Sequence, residues 1–407
     1  MIHRRAVIAG LGAALLPIHR AWAEHAADPA DWPQVLASAR GQTVHFHAWA
    51  GETRINDYIA WAGKEVEARY GITLRHVKVS ETAAVVGRVL AEKVANQRHD
   101  GSVDLVWING ANFAAMKRQG LLREKAWAEQ LPAWRHVDVA GKPTVRMDFG
   151  VPVEGLQAPW GMAQLVFYRD TARVPQPPRS LAALLDWCRA NPGRFTYPLP
   201  PDFLGVTFLK QALYTLAPDP RLLAAEATDA GFAAATQPLF AWLDSLHPLL
   251  WRRGQSFPAN VAALRRLVGD GEIDIGFTFN PADPSSAIAT GELPGSVRSF
   301  VLDGGTIGNT HFLAIPFNAA APAAAMVVAD FLLSPEAQAR KQDPAVWGDP
   351  TVLSLAALTP ADRARFTALD LGVATLKPDE LGPMLAEPHP SWSTRLADAW
   401  SRRYGAR

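Results

Sequence analysis

Apolar residues change period repeatedly along this chain, and the changes mark out its elements. Val44 to Trp49 is a compact apolar run of strand type, and Arg54 to Tyr70 then places Ile55, Tyr58, Ile59, Ala62 and Val66 on one helical face. Ile72 to Val79 reads as the next strand. Ala83 to Asn96 reads as a helix carrying Val85, Val86, Val89, Leu90 and Val94 at helical spacing, and Val103 to Ile108 as a third, strongly apolar strand. A β-α-β-α-β alternation forces neighbouring strands to run parallel with helices on both faces of the sheet. Open sheets so built bind ligands beyond the carboxyl ends of their strands. That makes candidates of three loops, Ala50 to Thr53, Ser80 to Thr82 and Asn109 to Asn112.

At 407 residues the chain exceeds a single ordinary domain, and two α/β lobes fit its length. The first lobe is expected to end near Pro159-Trp160-Gly161, after a proline- and glycine-containing stretch from Gly141 that lacks helical periodicity. Gln164 to Arg169 reads as a strand, followed by helices at Ser180 to Ala190, Leu204 to Leu216, Gly231 to Leu246 and Ala259 to Val268, with a short strand at Phe195 to Pro198. Gly271 to Phe277 reads as a return strand that brings the chain back to the first lobe near Asn280. His311 to Pro316 is a short apolar strand stopped by its proline, and Ala319 to Leu333 a helix with Ala324, Val327, Val328 and Phe331 on its buried stripe. Ser334-Pro335-Glu336 starts another helix, with serine at N-cap and proline at the first helical position. From Asp343 onward the chain is rich in proline and short amphipathic segments, such as the helix start Thr359-Pro360-Ala361-Asp362, and is expected to extend the second lobe. The expected division is residues 24–160 plus 277–316 for lobe 1 and 161–276 plus 317–407 for lobe 2.

The amino terminus reads as a removable export signal. His3, Arg4 and Arg5 precede an apolar core from Ala6 to Leu16, and Ala21-Trp22-Ala23 forms an A-x-A cleavage site. The apolar run is too short to span a bilayer, which takes about 20 residues. Arg4-Arg5 leaves a twin-arginine route open beside the general secretory one. Loss of residues 1–23 removes three of the 40 basic residues and leaves 39 acidic ones, a formal charge of −2. This balance does not mark a nucleic-acid ligand, and a monomeric periplasmic protein is expected. Cys188 has no second cysteine to pair with and reads as a small buried hydrophobe.

The chain carries no G-x-S-x-G, H-E-x-x-H or P-loop pattern, so neither catalysis nor a cofactor is expected. His45 and His47 point to one face of a strand and could present two imidazoles to a metal, but the nearest loops add only Glu52 and Glu81. Aromatic and amide placement is the stronger signal. Trp49 ends the first strand, Asn109 and Asn112 follow the third, Trp160 falls at the expected hinge, and Phe203 lies in a loop of the second lobe. Asn280 and Asn309 follow apparent crossing points, where turn chemistry is the alternative, as core packing is for each tryptophan. Flat apolar faces and amides suit a small polar ligand with a planar portion, and tryptophan faces also attract cations. Glu52 and Glu81, with Thr53 and Thr82 beside them, could supply a counter-charge.

The order strand, proline stop, helix and ADFLLSPEAQ over Gly305 to Gln338 resembles the last inter-lobe crossing of the family 1 extracellular solute-binding proteins, the ligand-capturing components of bacterial ABC importers. Tyr168-Arg169-Asp170 resembles the first crossing of that family, and FHAWAGE, PWGMAQ and LLSPEAQ together resemble its YnjB-type branch. The resemblance implies a two-lobe α/β clamshell of type II, each lobe a mostly parallel sheet flanked by helices. It also implies a partner, the importer's membrane permease subunits. The residues expected to meet ligand are Trp49, Glu52, Thr53, Glu81, Thr82, Asn109, Asn112, Trp160, Phe203, Asn280 and Asn309. A small organic cation of thiamine or polyamine type is the favoured ligand, with a sugar next.

Overall fold

The computed structural model of the chain describes residues 28–377 and 380–405; the export segment expected at 1–23 lies outside the described residues. After helix α1 (Trp32–Ala39) come β1 (Thr43–Trp49), α2 (Thr53–Tyr70), β2 (Thr73–Val79), α3 (Thr82–Val94), β3 (Leu105–Ile108) and α4 (Gly110–Arg118). The helix α2 ends where Gly71 turns left-handed, at φ 66°, and its amide donates back to the Glu67 carbonyl. A small hairpin, β4 (Met147–Asp148) and β5 (Val151–Pro152), precedes β6 (Gln157–Gln164) and β7 (Val166–Asp170). Then follow α5 (Leu181–Ala190), α6 (Phe203–Leu216), α7 (Asp229–Leu246), α8 (Val261–Gly269), β8 (Ile275–Thr278), α9 (Asp283–Ala289) and β9 (Val297–Phe300). The chain closes with β10 (Thr306–Ala314), α10 (Pro322–Leu332), α11 (Pro335–Gln342), α12 (Pro360–Thr367), β11 (Met384–Leu385) and α13 (Pro390–Tyr404). The two proline starts behave as their sequence demands: Ser334 Oγ accepts from the Ala337 amide at 3.3 Å and Thr359 Oγ1 from that of Asp362 at 3.1 Å.

In the first sheet β1 lies between β2 and β3, parallel to both, and β10 inserts antiparallel between β3 and β6. The two-lobe α/β class expected from the alternation holds, but the second sheet departs from the expected strand direction. There β7 pairs antiparallel with both β8 and β9, and parallel pairing is confined to the bridge between Phe195 and Ile275. Strand β6 runs through Pro159-Trp160-Gly161, which the sequence suggested as the end of the first lobe.

Two large apolar cores fix which segments belong together. The first gathers α1, β1 and α2 with Trp160, Leu313 and most of α10, and reaches Trp347, Leu358 and Phe366. The second begins at Leu165, continues through Phe300 and Leu302, and takes in Trp392, Leu396 and Trp400 of α13. A smaller cluster, from Val85 to Leu122, packs beneath α3 and α4. Two expected assignments are therefore corrected. Residues from Phe277 to Leu302 pack in the second core rather than returning near Asn280, because β8 and β9 both flank β7. The segment from Ala321 to Phe366 packs in the first core, and only α13 completes the second.

Two buried polar groups stand where these segments meet. Lys341 pairs with Asp349, and His311 Nε2 lies 3.0 Å from the same carboxylate oxygen. Their atoms press on Gly161 so closely that an added Cβ would collide with all three side chains. Burial pulls the Lys341 ammonium below its usual range while Asp349 pulls it back. In the second group Asp148 accepts from the Gly110 amide at 2.7 Å and from Gln157 Nε2 at 2.9 Å. Burial pushes its carboxyl up to about 7, the two hydrogen bonds opposing and the charge of Glu387 adding to the rise. Glu387 in turn pairs with Lys210 of α6 and accepts from Asn309 Nδ2 at 3.1 Å.

Gly161→Ala should lower unfolding stability by about 1–3 kcal/mol, the cost of forcing atoms into a filled core, read as a drop in the urea midpoint. At Asp148 the folded carboxyl keeps its proton up to about pH 7, whereas an unfolded aspartate releases it near pH 4. The native state then binds the extra proton, so this group's contribution to stability is full below about pH 4 and fades as the pH rises to 7. Asp148→Asn should remove that decline, which is on the order of a few kcal/mol, when unfolding free energy is measured from pH 4 to 8. Gln157 Oε1, buried without a protein partner, can accept from the new amide.

Candidate functional site

Because β1, β2 and β3 run parallel, their carboxyl ends lie along one edge of the first sheet, and the loops after Trp49, Val79 and Ile108 share that edge. In the second lobe Phe195 runs parallel to β8, so the loop from Tyr197 to Phe203 and the turn from Thr278 to Asp283 share an edge too. Phe203 and Phe279 meet there edge to face, with centroids 5.1 Å apart. Electrostatic contact joins the two edges. Asp202 feels the charge of Glu81, Glu52 feels that of Asp283, and Arg54 Nη2 lies 3.9 Å from Asp283 Oδ1.

On the first-lobe edge, Trp49 is half-buried and its indole covers Gly51, where a Cβ would strike the ring. Glu52 precedes α2 without capping it by its side chain. Burial raises its pKa, Asp283 adds to the rise, and Arg265 and Arg54 oppose it. Thr53 and Glu81 are exposed. Thr82 is half-buried, and its hydroxyl donates to the Trp107 carbonyl at 3.3 Å. Asn109 stands at the N-cap of α4 with no side-chain capping bond, and Asn112 lies half-buried one turn on. The run expected as a loop is thus the start of a helix. Gly110 can open that helix because its φ is 59° and the Phe149 ring sits 3.2 Å from where a Cβ would stand.

Across from these, Phe203 is 47% exposed at the start of α6, and Asp202 caps that helix by accepting from the Leu204 amide at 2.9 Å. Burial raises the Asp202 pKa against two backbone hydrogen bonds. Lys210 Nζ lies 5.6 Å from the Phe203 ring centre and 5.1 Å from that of Phe149, a cation held between aromatic faces from the two sides of the cleft.

Three of the residues proposed from sequence do other work. Trp160 is fully buried, with Trp107 packed edge-on at 5.0 Å and Phe46, Tyr58 and Trp347 around it. It is a core side chain and not a cleft face. Asn280 folds its own turn, accepting from the Ala282 amide at 3.0 Å and donating to the Trp347 carbonyl at 3.3 Å. Asn309 is 5% exposed and spends its amide on Glu387. The charged residues Arg54, Asp202, Lys210, Asp283 and Glu387 were missed. Lys210 was the legible one, a lone lysine in the apolar run of α6 and therefore in need of a partner.

Cys188 is buried and its thiol is pushed up to about 12 by that burial, the reverse of an activated nucleophile. His45 Nδ1 lies 3.1 Å from Asp104, whose other oxygen accepts from the Ala321 amide at 2.8 Å. Among the described residues no three His, Cys, Asp or Glu side chains converge as a metal set.

Comparison with known proteins agrees with this geometry. The family model for bacterial extracellular solute-binding proteins matches residues 61–364. Protein YnjB of Escherichia coli strain K12 is 47% identical over 375 residues, covering 92% of this chain and 94% of its own length. Among solved structures, the spermidine/putrescine ABC transporter substrate-binding protein PotD of Streptococcus pneumoniae superposes with a TM-score of 0.60 at 14% identity, over 89% of this chain and 98% of its own. The periplasmic binding protein AfuA of Actinobacillus pleuropneumoniae, with fructose-6-phosphate bound, gives 0.60 at 15% identity, over 90% and 99%. With its two cores, its facing strand ends and these similarities together, the chain belongs to the bacterial extracellular solute-binding proteins.

Proposed function

We propose that this chain is a periplasmic receptor that captures a small organic cation between its lobes and delivers it to the permease subunits of an ABC importer. The observation that carries the ligand class is the pairing of half-exposed aromatic faces, Trp49 and Phe203, with carboxyl groups from both lobes, Glu52, Glu81 and Asp202. Burial in the cleft raises the pKa of Glu52 and Asp202, so an incoming positive charge gains by holding them ionised. Planar cations can also stack on the indole. The fold is shared with a spermidine/putrescine-binding protein, which supports a polyamine, and thiamine offers the same charge on a flat ring. Residues 1–23 supply the export signal, and the receptor works as a monomer without cofactor or turnover of its own.

Ligand that bridges both edges favours the closed arrangement of the lobes. A second reading, a sugar receptor, is favoured by the same aromatic faces and by the shared fold with a fructose-6-phosphate-bound protein.

A thermal-shift screen with thiamine, spermidine, putrescine, glucose and fructose-6-phosphate separates the readings. At a hundredfold excess over Kd a ligand specific to the folded state adds about 2.7 kcal/mol, so at least one of the three cations should raise Tm by several degrees. Response to a sugar alone sinks the cation reading. With the responding cation, Trp49→Ala should weaken binding about 2- to 30-fold, the span of one cation–π contact of about 0.5–2 kcal/mol. Titration of intrinsic fluorescence measures the change, and an unaltered Kd removes Trp49 from the site.

A further inference from the structure

At the edges that face each other the two lobes also touch directly, along a seam where α9 of the second lobe meets the start of α2 and the loop after α11. Asp283, the first residue of α9, is 3% exposed. Its Oδ1 receives Arg265 Nη1 of its own lobe at 2.7 Å and faces Arg54 Nη2 of the other lobe at 3.9 Å. Its Oδ2 is buried with no protein partner. Arg54 is aimed by a bond from Nη1 to the Pro344 carbonyl at 3.4 Å, and Ser286 of α9 donates to that same carbonyl at 2.8 Å. A single backbone oxygen of the first lobe therefore collects a donor from each side of the seam.

We infer that Arg54 and Asp283 form an electrostatic latch that biases the ligand-free lobes toward closure. The two halves of the pair are built differently. Asp283 is fixed, because Arg265 grips it while Arg265 Nε is itself held by Glu292 at 2.9 Å. That grip keeps the carboxylate oriented whether or not the lobes are together. Arg54 is the moving half, carried on the other lobe with one donor on Pro344 and another facing Asp283. A guanidinium presents paired donors that match both oxygens of a carboxylate, and the unpartnered Oδ2 gives the fork its second acceptor. Glu52 sits beside Arg54 at the same helix start and feels both Asp283 and Arg265, so the seam brings three carboxylates and two arginines face to face. The opposite charges of Arg54 and Asp283 attract over the gap as the lobes approach, and salt weakens the attraction.

The test uses the full ligand-free chain, so it stands apart from the identity of the solute and can fail while the receptor reading survives. Small-angle scattering would be recorded for wild type, Arg54→Gln and Arg54→Lys at about 20 and about 500 mM salt, where the screening length falls from roughly 20 Å to under 5 Å. Wild type should expand in radius of gyration as salt rises. Arg54→Gln should already be expanded at low salt and respond to salt no further, with Arg54→Lys between the two. Circular dichroism confirms that the variants are folded; should Arg54→Gln fail to fold, the salt series on wild type and Arg54→Lys decides. Identical low-salt curves for wild type and a folded Arg54→Gln, or a wild type indifferent to salt, would overturn the latch.

Discussion

Strand β10 is the constraint on which the other elements are arranged. All nine of its residues are buried, and it is wedged antiparallel between β3 and β6. Yet its centre is polar, Asn309-Thr310-His311, and polar groups in such a place are costly without partners. Each partner arrives from a different remote segment: Glu387 for Asn309, Thr144 for Thr310 at 2.9 Å, and Asp349 for His311. The routing of the last hundred residues follows, since the chain must bring Asp349 and Glu387 back to this strand. Its amino end is clamped by the second lobe, where Gln211 of α6 receives the Ile307 amide at 2.8 Å and donates to the Gly305 carbonyl at 3.1 Å. The Leu165 amide donates to the Ile307 carbonyl at 2.8 Å, so two of the passages between lobes lie side by side.

The first lobe was legible because its strands and helices each bury one regular face. Its helices α2 and α3 and strands β1 and β2 fall within a residue or two of their expected limits. The stretch Pro159-Trp160-Gly161 lies within β6 although proline and glycine usually interrupt a strand. Among the described residues β6 pairs with β10 alone, and an edge strand tolerates a proline; a register shift between His311 and Phe312 accommodates the irregularity opposite it. Gly161 is required by the crowding of Lys341, Asp349 and His311, which no local pattern reveals. Sequence also located α10, α11 and α12 but assigned them to the second lobe, whereas they pack in the first core, because an apolar stripe specifies burial but not the surface that covers it. The loops at the carboxyl ends of β1 and β2 were recognisable from the alternation alone. The cross-lobe charges were not, since Arg54 and Asp283 acquire meaning only when distant segments are brought together.

The edges that face each other between the lobes set carboxyl groups beside Trp49 and Phe203. These carboxyl groups are partly desolvated, and two of them bind protons more readily than free side chains do. Lys210 already occupies one pair of aromatic faces, and its charge is spoken for by Glu387. A positive group is thus held between rings and backed by a carboxylate within the fold itself. Local electrostatics and global shape meet at this point, because Phe149 and Phe203 lie on opposite sides of the gap between lobes.

The late position of α13 bears on how the molecule comes into being. Trp392 and Trp400, each 1% exposed, complete the second core, and Trp400 Nε1 donates to the Tyr197 hydroxyl at 2.8 Å. The first core is likewise unfinished until Phe366 is available. Neither lobe is a contiguous stretch of chain, so as synthesis proceeds from the amino terminus no unit can close its apolar interior until nearly the whole polypeptide exists. Domains made of consecutive residues fold as they emerge; this one is wired to wait. Completion of both cores is thus deferred to the carboxyl-terminal helices, α12 for the first and α13 for the second.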